Sequence, residues 1–191
     1  MLQMDEATHT YAIDGERIPS VTQVLSDLLP RSHYPDEWYL QRGSAVHACA
    51  AMIAQGLEFD YDPRIEPQVR SIRQFFAEMQ PEVLTAEHAV HSRKHGYAGT
   101  LDLLATLRDK LTLVDYKASE SKHTPYQMAA YAIAYAESHD TTEPRWGITV
   151  ELPSTGKYRL HTYDLRRYRS GWLALLGAYK IRRECGIGEN A

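Results

Sequence analysis

Three β-rich runs follow one another along the middle of the chain, at Val83 to Val90, Tyr97 to Leu107 and Leu111 to Tyr116. The last two are separated by the short polar Arg108-Asp109-Lys110. Runs so rich in Val, Leu, Thr and Tyr with so brief a link predict an antiparallel meander. Helical signals lie on both sides of it. Upstream, Ser20 caps a helix over Val21 to Leu29, a second runs from Pro35 to about Ala54, and a third covers Glu66 to Met79. Downstream, Thr124-Pro125 opens a helix through about Ser138 with proline in the favoured first turn. Trp146 to Leu152 and Tyr158 to Tyr163 return to strand, and Asp164 caps a long final helix reaching Arg183. A hairpin around Asp14-Gly15, within Thr10 to Ile18, precedes all of this. Helices, three strands, helix, two strands and helix together predict an α/β fold with a central mixed β-sheet flanked by helices.

A chain of 191 residues is long enough for one substantial core, so a single domain over residues 1–191 is expected. Its 43% apolar and 24% charged residues match a soluble globular protein. No apolar run approaches the roughly 20 residues of a membrane span, and no basic-then-apolar leader follows Met1, so no membrane partner is expected and the cytoplasm is the expected location. Cys49 and Cys185 are too few for a disulfide framework, a four-cysteine zinc site or an iron-sulfur cluster with all-cysteine ligation. The net charge of -4 is unevenly spread: residues 1–66 hold 11 acids and 4 bases, leaving 14 acids and 17 bases for the remainder. The overall charge argues against a protein that holds nucleic acid by its net electrostatics, and any surface facing a polyanion is expected in the later segment.

Asp115 and Lys117 end the apolar run Leu111-Thr112-Leu113-Val114, and residues two apart on a strand share a face. Tyr116 points the other way, with its backbone carbonyl available as an oxygen ligand. Asp102 interrupts the neighbouring strand, and a tight turn near Asp109 would bring it beside Asp115. Aspartate is disfavoured in strands, yet two interrupt successive apolar ones. Two carboxylates and a carbonyl make a hard oxygen site suited to Mg²⁺ or Mn²⁺ together with a substrate phosphate. An adjacent lysine fits phosphodiester hydrolysis, orienting or deprotonating water or offsetting transition-state charge. The plainer alternative is a strand-end salt bridge between Asp115 and Lys117, with Asp102 closing a turn.

Gly99-Thr100-Leu101-Asp102, then Asp115-Tyr116-Lys117, resembles the core motif of the PD-(D/E)XK nuclease superfamily. Arg42-Gly43-Ser44-Ala45-Val46-His47 resembles the upstream Gly-x-x-x-His motif of its RecB-like branch, and Gln127-Met128-Ala129-Ala130-Tyr131 the downstream Gln-x-x-x-Tyr motif. Pro19-Ser20-Val21-Thr22-Gln23-Val24-Leu25, with Trp38 and Arg42-Gly43, is similar to the mitochondrial genome-maintenance exonucleases and their phage-encoded relatives. These pieces span residues 19 to 131; Leu101 stands where the superfamily name has proline. The resemblance implies a restriction-endonuclease-like core and a Mg²⁺- or Mn²⁺-dependent DNA exonuclease leaving 5′-phosphate ends. In that reading Asp102, Asp115, Lys117, Gln127 and Tyr131 are catalytic, and His47, Glu87, Asp102, Asp115 and Tyr116 hold metal. Arg42, Gly43, Ser20 and Thr22 contact DNA. It also implies roles in DNA repair and recombination, with room for a homo-oligomer, a recombination partner protein or a phage-encoded enzyme acting in the host cytoplasm.

Gly43 removes a side chain one turn before His47, allowing close approach of backbone or nucleic acid. Gln127 and Tyr131, four apart, share a helix face. His88, His91 and His95 invite a zinc reading, but His88 and His91 would face opposite sides of a strand. The bases of the last helix, from Arg166 to Arg183, read as a solvated face over an apolar stripe. Alternatives within the same fold are a structure-selective endonuclease and a non-catalytic DNA-binding or assembly subunit.

Overall fold

The computed structural model describes residues 2–5, 10–29 and 37–186. Strands β2 (Thr10–Ile13) and β3 (Glu16–Ile18) form the expected hairpin, and β1 (Leu2–Asp5), which the sequence reading did not anticipate, pairs antiparallel with β2. Asp14 and Gly15 both take positive φ, 53° and 88°, which gives the turn the twist that matches its strands. Helix α1 (Val21–Leu28) starts at a capping box: Ser20 Oγ accepts the Gln23 N–H at 3.0 Å, and Gln23 Oε1 accepts the Ser20 N–H at 2.9 Å. Helix α2 spans Glu37–Ala54; Pro35, expected as its start, lies outside the described residues. A 3-10 turn at Pro63–Ile65 leads into α3 (Glu66–Met79), which has the expected bounds.

The five-stranded sheet comprises β4 (Glu82–Ser92), β5 (Tyr97–Leu107), β6 (Lys110–Lys117), β7 (Trp146–Glu151) and β8 (Arg159–Asp164), in that spatial order. All neighbours run antiparallel except β6 and β7, which are parallel and joined through α4 (Thr124–His139). This is the α/β architecture with a mixed central sheet that the pattern predicts. Asp164 does not cap the last helix. Its carboxylate accepts the Arg166 N–H and caps a 3-10 turn at Leu165–Arg167 instead, so α5 begins at Arg169 and runs to Glu184.

Alternating side chains of the sheet feed two apolar layers. On one face Leu104 and Leu113 pack with Val21, Met128, Tyr131, Trp172 and Leu176 from α1, α4 and α5. On the other, Leu103, Val114, Tyr116 and Val150 pack with Val46, Ile72 and Phe75 from α2 and α3. The bases of the last segment mostly have local partners: Arg166 and Arg145 with Asp164, Arg169 with Glu143, and Arg182 with Asp27. Among the described residues no helix is long and apolar enough to cross a membrane. Cys49 is buried, Cys185 exposed, and both are free thiols.

Candidate active site

The turn between β5 and β6 decides where the two aspartates meet. Arg108 and Asp109 both adopt left-handed φ, 49° and 59°, so the connection is a two-residue turn that fixes Leu107 opposite Lys110. Counting back along that register gives Leu103 opposite Val114, where the pairing ends. Asp102 and Asp115 are the next residues. In place of a further main-chain rung, Asp102 Oδ2 accepts the Tyr116 N–H at 2.9 Å. The carboxylate thus satisfies a donor that the ladder leaves open, and the two strands part at this point.

The other edge of β5 is irregular at the same level. Ala86 pairs with Leu103 and His88 with Leu101, which sets Glu87 opposite Asp102, and Glu87 has a φ of 45°. For a side chain with a Cβ that is an unusual conformation, held by the surrounding sheet. At the same level β5 changes face: Leu101 and Leu103, which would share a face of a regular strand, lie in opposite apolar layers on either side of Asp102. Helix α2 enters the notch from one side and α4 from the other.

Into this notch project His47, Glu87, Asp102, Lys117, Gln127 and Tyr131, lining a cleft of about 500 Å³. His47 Nδ1 lies 3.2 Å from Asp102 Oδ1 and 4.0 Å from Glu87 Oε1. Donor atoms of His47, Glu87 and Asp102 all fall within 4.8 Å of one another. Lys117 Nζ donates to Asp115 Oδ1 at 2.8 Å, while Asp115 Oδ2 is buried with no hydrogen-bond partner. Gln127 Nε2 donates to the Tyr131 hydroxyl at 3.0 Å, confirming that the two share a helix face.

The electrostatics reflect crowding of acids around few cations. Burial works against a charged His47, but Asp102, with Asp115 farther off, raises its pKa to about 9. Burial, followed by the Asp102 charge, raises Glu87 to about 7. Asp115 is pushed up to about 6 by burial and by Asp102, in spite of its lysine. Burial opposes ionisation of Asp102 too, but His47, Lys117 and the Tyr116 N–H hold its pKa below the usual value. A divalent cation fits His47, Glu87 and Asp102: it would neutralise surplus negative charge, and the two carboxylates and the imidazole offer hard oxygen and borderline nitrogen donors, whereas Asp115 lies outside that cluster and the cleft lining, with its Oδ2 buried and unpartnered behind Lys117.

The expected DNA-contacting residues divide. Ser20 and Thr22 line the cleft, but the Ser20 hydroxyl is engaged by the Gln23 N–H and by Thr22 Oγ1 at 3.0 Å, so the cap accounts for it. Gly43 also lines the cleft; a Cβ there would meet nothing within 4 Å, so its openness is not used by protein backbone. Arg42 borders an adjoining pocket and stacks over the Tyr39 ring, 4.8 Å from its centre. Tyr116 reaches the site through its N–H, and its ring is buried in the layer beneath. His88, His91 and His95 do not gather: His88 meets His139, and His95 lies 3.7 Å from Glu137.

Other lining residues were not singled out from sequence. A Cβ on Gly99 would lie 2.6 Å from the Tyr131 ring, so the glycine is what lets α4 seat that tyrosine against β5. The Tyr11 hydroxyl pairs with Thr100 Oγ1 at 2.9 Å, bringing the N-terminal hairpin to the cleft wall. Gly99 was legible as part of its motif; nothing local marks Tyr11.

The chain is similar to mitochondrial genome maintenance exonuclease 1 of Xenopus tropicalis, 26% identical over 208 aligned positions that cover 87% of this chain and 58% of that protein. It spans somewhat more than half of that relative's length. The arrangement of Asp102 with Asp115-Tyr116-Lys117 is consistent with a PD-(D/E)XK-like nuclease. No family model matches the chain. Solved structures similar to it include LHK-Exo in complex with dAMP, at a TM-score of 0.43 and 13% identity over 88% of this chain and 93% of that one. The alkaline exonuclease LHK-Exo from Laribacter hongkongensis gives 0.41 and 14% over 87% and 92%.

Proposed function

We propose that this chain is a DNA exonuclease that hydrolyses phosphodiester bonds at Asp102, Asp115 and Lys117, with Mg²⁺ or Mn²⁺ held by Asp102, Asp115, Glu87 and His47 and by the Tyr116 carbonyl. The observation that carries this reading is the parting of β5 and β6 at two aspartates, with a histidine, a third acid and a lysine converging on the gap. The similarity to an exonuclease supports cleavage from ends.

When bound by these residues, a cation would supply Lewis acidity and offset charge on the phosphate. The protein's residues do the rest. Asp115 and Lys117 share one face of β6, and their contact keeps the lysine at the cleft wall, where its ammonium stabilises negative charge developing on the phosphate or where, once it has lost a proton, the neutral amine takes one from water. A water oxygen forms the new bond to phosphorus and the bond to the 3′ oxygen breaks, leaving a 5′-phosphate on the departing side. Gln127, tied to Tyr131, holds its amide at the cleft and positions water, phosphate or the lysine. Gly43 leaves the mouth open to the DNA backbone.

The test is incubation of linear and covalently closed circular DNA, single- and double-stranded, with Mg²⁺ or Mn²⁺ and with chelator. Degradation of linear DNA that stops in chelator and spares the circles supports the proposal. Cutting of circles makes the chain an endonuclease, and full activity in chelator overturns the metal mechanism.

A further inference from the structure

A second pair of nitrogen donors lies where the end of α4 meets β4. His88 Nε2 and His139 Nε2 are 3.1 Å apart, with ring planes inclined by 48°. The protonation of His139 follows from its neighbours. Its Nδ1 is 3.0 Å from the Tyr135 carbonyl and 3.0 Å from Ser138 Oγ. The carbonyl cannot donate, and the serine hydroxyl donates to Ala134 O at 2.8 Å, so the ring proton sits on Nδ1. In the neutral ring Nε2 then carries a lone pair directed at His88. The Tyr135 ring stacks on His139 at 4.3 Å and fixes its plane.

An imidazole whose far nitrogen donates to a backbone carbonyl is oriented as metal-ligating histidines are. The separation fits as well. Two nitrogens each about 2.0–2.1 Å from one cation lie ~3.3 Å apart in a tetrahedral arrangement and ~2.9 Å apart at a right angle; the observed 3.1 Å falls between. Both rings reach the surface, so water can complete the coordination.

We propose that His88 and His139 form a binding site for a divalent transition metal that favours imidazole nitrogen, of the class of Zn²⁺, Cu²⁺ or Ni²⁺, distinct from the oxygen-rich cleft. Such an ion ties α4 to β4. His88 directly follows Glu87, and α4 carries Gln127 and Tyr131, so the ion braces two elements that deliver cleft residues. The histidines His88, His91 and His95 did not reveal this site because the second ligand comes from a helix 51 residues farther on.

The probe is Zn²⁺, titrated calorimetrically into chain carrying His47→Ala and Asp102→Asn, which remove donors from the cleft. About one Zn²⁺ per chain is expected. Adding His88→Gln or His139→Gln should weaken that binding by roughly tenfold or more, and the two together should be no worse than either alone, because one imidazole does not chelate. Glutamine at position 88 can still donate to His139 Nε2, so its loss reports a missing ligand and not a missing hydrogen bond. Zn²⁺ at a hundredfold excess over its dissociation constant should raise the melting temperature by about 5 °C or more, and not in the glutamine variants. If the background chain does not fold, the glutamine substitutions are made in the unaltered chain, where each should lower zinc stoichiometry by about one. Unchanged zinc affinity or stoichiometry in either folded glutamine variant overturns the proposal, as does a folded background chain that binds no zinc.

Discussion

Asp102 has two duties that one substitution separates. Its Oδ2 accepts the Tyr116 N–H, and its Oδ1 faces His47. Asp102→Asn keeps an acceptor for the backbone but offers a poor ligand, so it should fold with nearly unchanged stability while Mn²⁺ affinity, measured by calorimetry, falls at least tenfold. Equal Mn²⁺ affinity would remove Asp102 from the ligand set. Lys117 is a subtler case because its partner Asp115 is buried. Lys117→Ala should lower turnover by about a hundredfold or more under saturating metal. Without metal it should also lower the melting temperature, because an uncompensated buried carboxylate is left behind. Metal should restore much of that loss; a turnover near that of the parent would refute the catalytic assignment. Lys117→Arg should rescue poorly, since a guanidinium does not act as a base at neutral pH. For His47→Ala, metal affinity should fall more for Mn²⁺ than for Mg²⁺, as imidazole suits the softer ion; equal affinities before and after would make it a packing residue.

At the scale of elements, the contact between β5 and α4 carries the site. Gly99→Ala places a methyl group against the Tyr131 ring and should cost about 1–3 kcal/mol by overpacking. A double-mutant cycle with Tyr131→Ala, read by urea denaturation, should be non-additive because the second change vacates the space that the first invades. Additivity would mean that the ring does not sit on Gly99. The bounds of α1 and α3 were legible because their signals are local: a capping serine with Gln23 three positions on, and a proline in the first turn. Asp164 misled for a physical reason. Its carboxylate caps whatever turn follows it, and a 3-10 turn offers the same free N–H groups as an α-helix.

Across the whole molecule, stability rests on two apolar layers separated by the sheet. Trp172 is fully buried on one side and Phe75 on the other. Each changed to alanine should cost about 3–5 kcal/mol, and the double variant should lose the sum to within about 0.5 kcal/mol, because the two share no neighbouring cluster. Strong coupling in denaturant melts would show that the layers act as one. The sequence by itself determined the element order, the mixed sheet and the face shared by Asp115 and Lys117, since periodicity, capping and turn chemistry act over a few residues. It also pointed to a tight turn near Asp109 that would bring Asp102 toward Asp115; the two-residue turn that sets the register as far as Leu103 and Val114 came from the structure. Tertiary structure decided the rest. The left-handed Glu87, the parting of the strands at Asp102, the seat of Tyr131 on Gly99 and the meeting of His88 with His139 all depend on contacts between distant segments. Their energies arise when those segments pack, and no local pattern of residues encodes them.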